Sequence, residues 1–230
     1  MLQFISMEEA FGQIKERASS RRIPASQIPL EDTVGCVLAE PAVANLSIPP
    51  FNNSARDGVV LSAMGLAQAR GGSPISLAGE LRAGDSVEAA NGMQGDAARI
   101  MTGAPIPEWA DAVAMIEDLE FKSDGAVVVK QLPGSGAWIR PQGSDIAAGS
   151  VILNSGRCII PEHLQALASS GIVDLVVHDS PRVGLCSTGE ELVDVKSGPP
   201  GSGQIYDSNR PFMTAMIRSF GCDVVINEHV

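Results

Sequence analysis

Aromatic side chains are scarce in this 230-residue chain, at 4% of residues. With 24 glycines and 15 prolines, that composition favours many turns and small-residue packing over aromatic-rich surfaces. Basic residues are also few: 16 Lys and Arg stand against 27 Asp and Glu, a formal net charge of −11. A nucleic-acid binder needs a cluster of cations to neutralise phosphates. The densest basic spot is the pair Arg21-Arg22, so nucleic-acid binding is excluded as a primary role. The four cysteines (Cys36, Cys158, Cys186, Cys222) form no CxxC pair, and the three histidines (His163, His178, His229) lie far from them in sequence. That spacing argues against a zinc site. Cys186 and Cys222 fall in apolar, strand-like runs and are expected as buried thiols, which fits a reducing cytoplasm. The N-terminus lacks the basic start and apolar core of a signal peptide, and no apolar run has transmembrane length. Charged residues are only 19% and hydrophobic ones 44%, so the chain can build a core and wholesale disorder is excluded.

What is present is organised around Ile48 to Gly58, IPPFNNSARDG. Pro49 and Pro50 cannot sit inside a helix or a central strand. Asn52, Asn53 and Ser54 bond back to their own backbone in turns, and Asp57-Gly58 is a turn dipeptide. Two readings stand side by side: a stiff hairpin connector, or a loop that holds Asp57 and Ser54 toward a ligand.

Ser6-Met7-Glu8-Glu9 is a capping box. Met7, Ala10, Phe11, Ile14 and Ala18 follow at helical spacing, predicting a helix from Met7 to Ser20 whose apolar stripe must dock on the core or on a partner. Ile28 to Val43 reads as short strands. Val59-Val60-Leu61 opens a β-rich section, with strands expected at 74–79, 85–89, 97–101, 113–116, 119–121 and 126–129. Pro161 to Ser170 is a helix stopped by Gly171, although Ile160 is a poor N-cap. Arg182 to Cys186, then a helix over 207–220 capped by Asp207 or Asn209, then Cys222 to Ile226 form a βαβ unit of a parallel sheet.

In open α/β sheets ligands bind beyond the carboxyl ends of the strands. Ser187-Thr188-Gly189-Glu190 lies at such an end. Its glycine and hydroxyls suit close approach to phosphate, and Glu190 could hold a metal or a polar group. A plain strand-to-loop turn explains the same residues. Asp207 is a helix cap that could also serve a ligand, provided its second oxygen stays free. Thr102-Gly103 after a strand, and Gly143-Ser144-Asp145, are further polar turns. Asp57, Asp145, Glu190 and Asp207 are compatible with Mg²⁺, which takes one or two carboxylates plus substrate phosphates.

IPPFNNSARDG, IMTGAPIPEWADAV, IRPQGSDIAAGSVIL, and STGEEL followed by GQIYDSNR occur in this order. Together they resemble the molybdopterin molybdenumtransferase family, which includes MoeA and the E domain of gephyrin-type proteins. The resemblance implies a transferase that inserts molybdate into adenylylated molybdopterin with Mg²⁺, releasing AMP. It assigns catalytic roles to Asp57, Thr102 and Glu190. It assigns substrate binding to Ser54, Asp145, Ser187, Thr188, Gly189 and Asp207, and Mg²⁺ to Glu190 and Asp207. It also implies an elongated, mixed α+β multidomain fold. Residues 1–47 and 139–180 would form an N-terminal linker and dimerisation domain, 48–138 an inserted β-rich domain, and 181–230 the incomplete start of a three-layer α/β domain. A cytoplasmic homodimer is expected, with molybdopterin adenylyltransferase and molybdoenzyme-side proteins as partners and no membrane. The chain departs from the family pattern at Asn52, Arg56 and Ser144. Arg56 could pair with Asp57 or offer its charge to phosphate. The family's downstream segments do not follow Val230, so an inactive N-terminal fragment is expected. The alternative is a non-catalytic dimerising scaffold of gephyrin type, and a generic Mg²⁺-dependent nucleotide-binding domain is a third reading.

Overall fold

The computed structural model describes residues 5–230. They divide into two compact units. One comprises Val43–Ile152 with Ala166–Ile172; the other comprises the chain up to Ala42, Leu153–Gln165 and Val173–Val230. The α-helices among the described residues are α1 (Met7–Ser20), α2 (Ala63–Arg70), α3 (Val87–Gly92), α4 (Pro161–Ser169) and α5 (Asn209–Ser219).

The first unit is built on a four-stranded sheet in the order Glu80–Leu81, Ala97–Ile100, Gly58–Ser62, Ala110–Met115. Gly58–Ser62 is central and antiparallel to both neighbours. Every residue of it is buried. Side chains alternate across a strand, and GVVLS is apolar on both faces, so each face builds its own core. Val59 and Leu61 pack with Ile75, Ala97, Ala114 and Val127. Val60 packs with Leu81, Ala90, Ala98, Ile100 and Val113. Burying each Val or Leu is worth about 1.5–3 kcal/mol. The alanines opposite them are the small-residue packing that the composition anticipates.

Several local expectations are corrected here. Gly58 is not a turn residue; it is the first residue of the central strand. A Cβ there would lie 1.9 Å from the Ala114 carbonyl oxygen, so close strand approach is what requires glycine. Residues 85–89 do not form a strand, because Ser86 accepts the Ala89 N–H and starts helix α3 instead. Helix α2 was not anticipated in the β-rich stretch; Ser62 caps it through the Gly65 N–H, and alanines fill it. Residues 74–79 contribute only an isolated bridge from Ile75 to Val127.

In the second unit, Ala25–Pro29 pairs antiparallel with Asp174–His178. Leu30–Asp32 is a 3₁₀ turn rather than a strand. Arg182–Ser187 pairs in parallel with Asp223–His229 across α5, the predicted βαβ crossover. Cys186 is exposed and Cys222 half-buried, against the expected buried thiols; both belong to or adjoin these two paired strands, where neither side chain enters a core. Helix α1 matches its predicted span and its capping box is complete, yet none of its residues is buried. Helix α4 starts with help, because the Ile160 N–H donates to His163 Nδ1. No helix among the described residues is long and apolar enough to cross a membrane.

Two glycine substitutions separate close packing from open space. Gly58→Ala should destabilise by about 1–3 kcal/mol through overpacking. Gly12→Ala, where a Cβ meets nothing within 4 Å inside α1, should stabilise by about 0.5–1 kcal/mol. Urea denaturation midpoints check both signs.

Candidate functional site

In the unit built on the central sheet, the loop before Gly58 is zipped between two other segments. Residues Asn53–Ser54 pair antiparallel with Ile139–Arg140. Farther out, the Asp145 N–H donates to the Ile48 carbonyl (2.9 Å) and the Gly143 N–H to that of Pro49 (2.9 Å). Gln142 ties the two strips through its N–H to Asn52 Oδ1 and its side chain to the Pro50 carbonyl. On the other side, the Gly103 N–H donates to the Ser54 carbonyl (2.8 Å), and the Ile106 N–H to that of Asn52 (2.9 Å). Three motif segments therefore share one backbone network.

That network sets Asp57 against Thr102. Asp57 Oδ1 accepts both the Thr102 backbone N–H and its hydroxyl, each at 2.7 Å. The backbone bond and then the side-chain bond hold the Asp57 carboxyl below the usual aspartate value, with Arg99 adding a smaller favourable charge. Both residues are exposed and present a fixed carboxylate to solvent. Its second oxygen, Oδ2, takes no protein donor among the described residues.

The neighbouring side chains have definite roles. Ser54 is buried, and its hydroxyl is spent on the Arg56 carbonyl (2.6 Å), so it shapes the loop from inside. Arg56 makes no ion pair with Asp57; its guanidinium lies over the Trp138 ring, 4.9 Å from the centroid. Trp138 holds φ at 60°, a costly region for a bulky residue, and its carbonyl accepts the Ala55 N–H. This stack was not read from the sequence. The cue available was the cation at position 56 itself. Asp145 accepts from Arg140 Nη2 at 2.6 Å on an exposed surface, a pair of little net stability.

The remaining sequence-derived candidates lie in the other unit, at the carboxyl end of Arg182–Ser187. Ser187 Oγ donates to Asp207 Oδ2 at 2.5 Å. Having given its one proton there, Ser187 Oγ receives the Nδ1–H of His229 across 3.2 Å. Asp207 is 3% exposed. The Ser187 bond lowers its pKa most, followed among the favourable contributions by the Arg210 N–H. Arg210 Nε also reaches Asp207 Oδ2 (3.1 Å), while its Nη2 bonds Asp194. Asp207 caps α5 from one residue before the Ser208 N-cap, through the Arg210 N–H.

Thr188 and Glu190 are exposed, and Gly189 holds φ at 141° between them. Glu190 makes no side-chain hydrogen bond or ion pair among the described residues, which leaves an open carboxylate. Among those residues, no group of three or more His, Cys, Asp or Glu side chains is placed to hold a metal ion. An open Glu190 fits Mg²⁺ bound jointly with substrate phosphates. Asp207, with both oxygens engaged by protein donors, fits a positioning role.

Residues 5–171 match the family described as MoeA N-terminal region (domain I and II). The chain belongs to this MoeA N-terminal family. A molybdopterin molybdenumtransferase of Haemophilus influenzae is 36% identical over 196 residues, covering 85% of this chain and 47% of the relative. Another, from Staphylococcus aureus, is 33% identical over 227 residues, covering 96% and 52%. The chain thus spans about half the length of the curated relatives it matches. The crystal structure of a molybdopterin biosynthesis MoeA protein from Pyrococcus horikoshii OT3 aligns with a TM-score of 0.79 at 30% identity, over 90% of this chain and 55% of that one. Asp57, Thr102 and Asp145 all fall inside the MoeA-matched span.

Thr102→Val keeps the backbone donor and removes the hydroxyl, so Asp57 should titrate at a higher pKa than in the parent, read by carboxyl NMR. The stability linkage has a definite sign. Asp57 is depressed in the fold, so its contribution is complete above the unfolded aspartate pKa of roughly 3.9 and is lost as pH falls through the lower folded value. Thr102→Val should be less stable than the parent at neutral pH, and the gap should close as pH falls through the folded Asp57 value.

Proposed function

We propose that this chain serves molybdenum cofactor biosynthesis as the N-terminal portion of a molybdopterin molybdenumtransferase. The proposed reaction inserts molybdate into adenylylated molybdopterin with release of AMP. The observation that carries the reading is family membership over residues 5–171, with the Asp57–Thr102 pair inside that span.

Asp57 is the proposed catalytic carboxylate, kept ionised and fixed by Thr102. Its low pKa suits holding a positive or proton-bearing group of the substrate. Asp145 and Arg140 form a polar neighbour for substrate. Thr188 supplies a hydroxyl and Gly189 a bare amide for phosphate, while Ser187, whose proton goes to Asp207, holds the turn in place. Glu190 would hold Mg²⁺, which when bound would offset the phosphate charge of the adenylate as molybdate approaches. Asp207 orients Ser187 and the start of α5. Arg56, engaged with Trp138, leaves the Asp57 carboxylate to Thr102.

The proposed organisation keeps the three domains inferred from sequence, in an elongated cytoplasmic homodimer whose cleft joins Asp57 of one subunit to Glu190 of another. Helix α1 supports self-association: Met7, Phe11 and Ile14 are 72%, 67% and 64% exposed on it. Molybdopterin adenylyltransferase and cofactor-receiving molybdoenzymes are the proposed partners.

The test is complementation of a cell deficient in molybdate insertion by the coding region that contains this chain. Restored molybdoenzyme activity that Glu190→Ala and Asp57→Asn each reduce at least tenfold, with unchanged oligomeric mass, is the expected result. Full activity from Glu190→Ala would contradict the enzyme reading and favour the scaffold.

A further inference from the structure

A separate cavity lies in the unit that contains α1 and α5, away from the Ser187–Glu190 turn. It holds about 500 Å³ and is lined by Arg21, Arg22, Val37, His178, Asp179 and Phe220, among others. A volume in this range suits a small ligand.

Its charge and its walls characterise it. Arg21 and Arg22 directly follow α1 and form no ion pair among the described residues. The one carboxylate in the lining, Asp179, has its Oδ1 engaged by the Ser26 hydroxyl at 2.8 Å. The walls between are apolar, with Val37 39% exposed and Phe220 73% exposed. His178 has its backbone N–H committed to the Val37 carbonyl, yet its Nδ1 is buried with no hydrogen-bond partner. That nitrogen is sealed from solvent, so His178 contributes the shape of the wall rather than a polar contact.

We propose that this cavity binds a small organic anion with an apolar body. The acid group would sit by Arg21 and Arg22, and the body against Val37 and Phe220. Guanidinium groups are suited to carboxylate, sulfonate and phosphate oxygens. The apolar wall distinguishes such a ligand from a free inorganic ion. The proposal stands apart from the molybdate-insertion reading, since it uses none of the residues assigned to that reaction.

The probe is 1-anilinonaphthalene-8-sulfonate, an aromatic anion whose fluorescence rises in apolar surroundings, titrated into the 230-residue chain. Saturable binding at one equivalent is expected, weakened at least tenfold by the double substitution Arg21→Glu and Arg22→Glu. Cys36→Trp, which fills the cavity from its lining, should abolish it while circular dichroism stays unchanged. Octanoate should displace the probe, and inorganic phosphate at the same concentration should not. Non-saturable binding, or affinity unchanged in the double Arg variant, would overturn the proposal. If Cys36→Trp fails to fold, the Arg variant alone decides. Displacement by phosphate and not by octanoate would overturn the apolar half.

Discussion

Burial of one strand on both faces underlies the cluster around Asp57. Gly58–Ser62 is buried throughout and hydrogen-bonded to strands on either side. Its alternate side chains feed two separate cores. A one-residue slip would exchange the contents of those cores and break the fit of Gly58 beneath the Ala114 carbonyl. Register is therefore strongly specified, and with it the position of Asp57, the residue immediately before the strand. Exposed functional side chains gain fixed geometry from a rigid element directly behind them.

The rest of the loop inherits that rigidity through backbone bonds. Residues 52–54 are held by 103–106 on one side and by 139–142 on the other. Asp57 consequently has one oxygen committed to Thr102 and the other facing solvent. The second cluster achieves fixity differently. There a nearly buried Asp207 gathers Ser187, the start of α5 and Arg210 into one charge-assisted network, and the adjoining Glu190 remains open. One carboxylate orients its neighbours and the other is left open.

Much of this was legible in the sequence where the signal is local. The Ser6–Glu9 capping box marks the start of α1, and the apolar runs on either side of the 207–220 helix mark the parallel pairing across α5. The Asp57, Thr102 and Asp145 turns were each visible as polar punctuation. Their convergence on one network was not, because it depends on strand pairing between residues about 85 positions apart, such as Asn53 with Arg140. Helices α2 and α3 were missed because strand-like spacing around glycines outweighed the caps at Ser62 and Ser86. Gly58 was misread because a turn and a close strand contact call for the same residue. Arg56 left two partners open in the sequence, and the structure supplies a third, Trp138.

Native-state hydrogen exchange tests most directly the claim that the doubly buried strand fixes Asp57 against Thr102. The amides of Val59 to Leu61 should exchange only through global unfolding. The Thr102 amide, on an exposed residue, should nonetheless be protected at neutral pH and lose that protection in Asp57→Ala with the strand amides unchanged. Exchange of the Thr102 amide at the free-peptide rate in the parent protein would contradict the account.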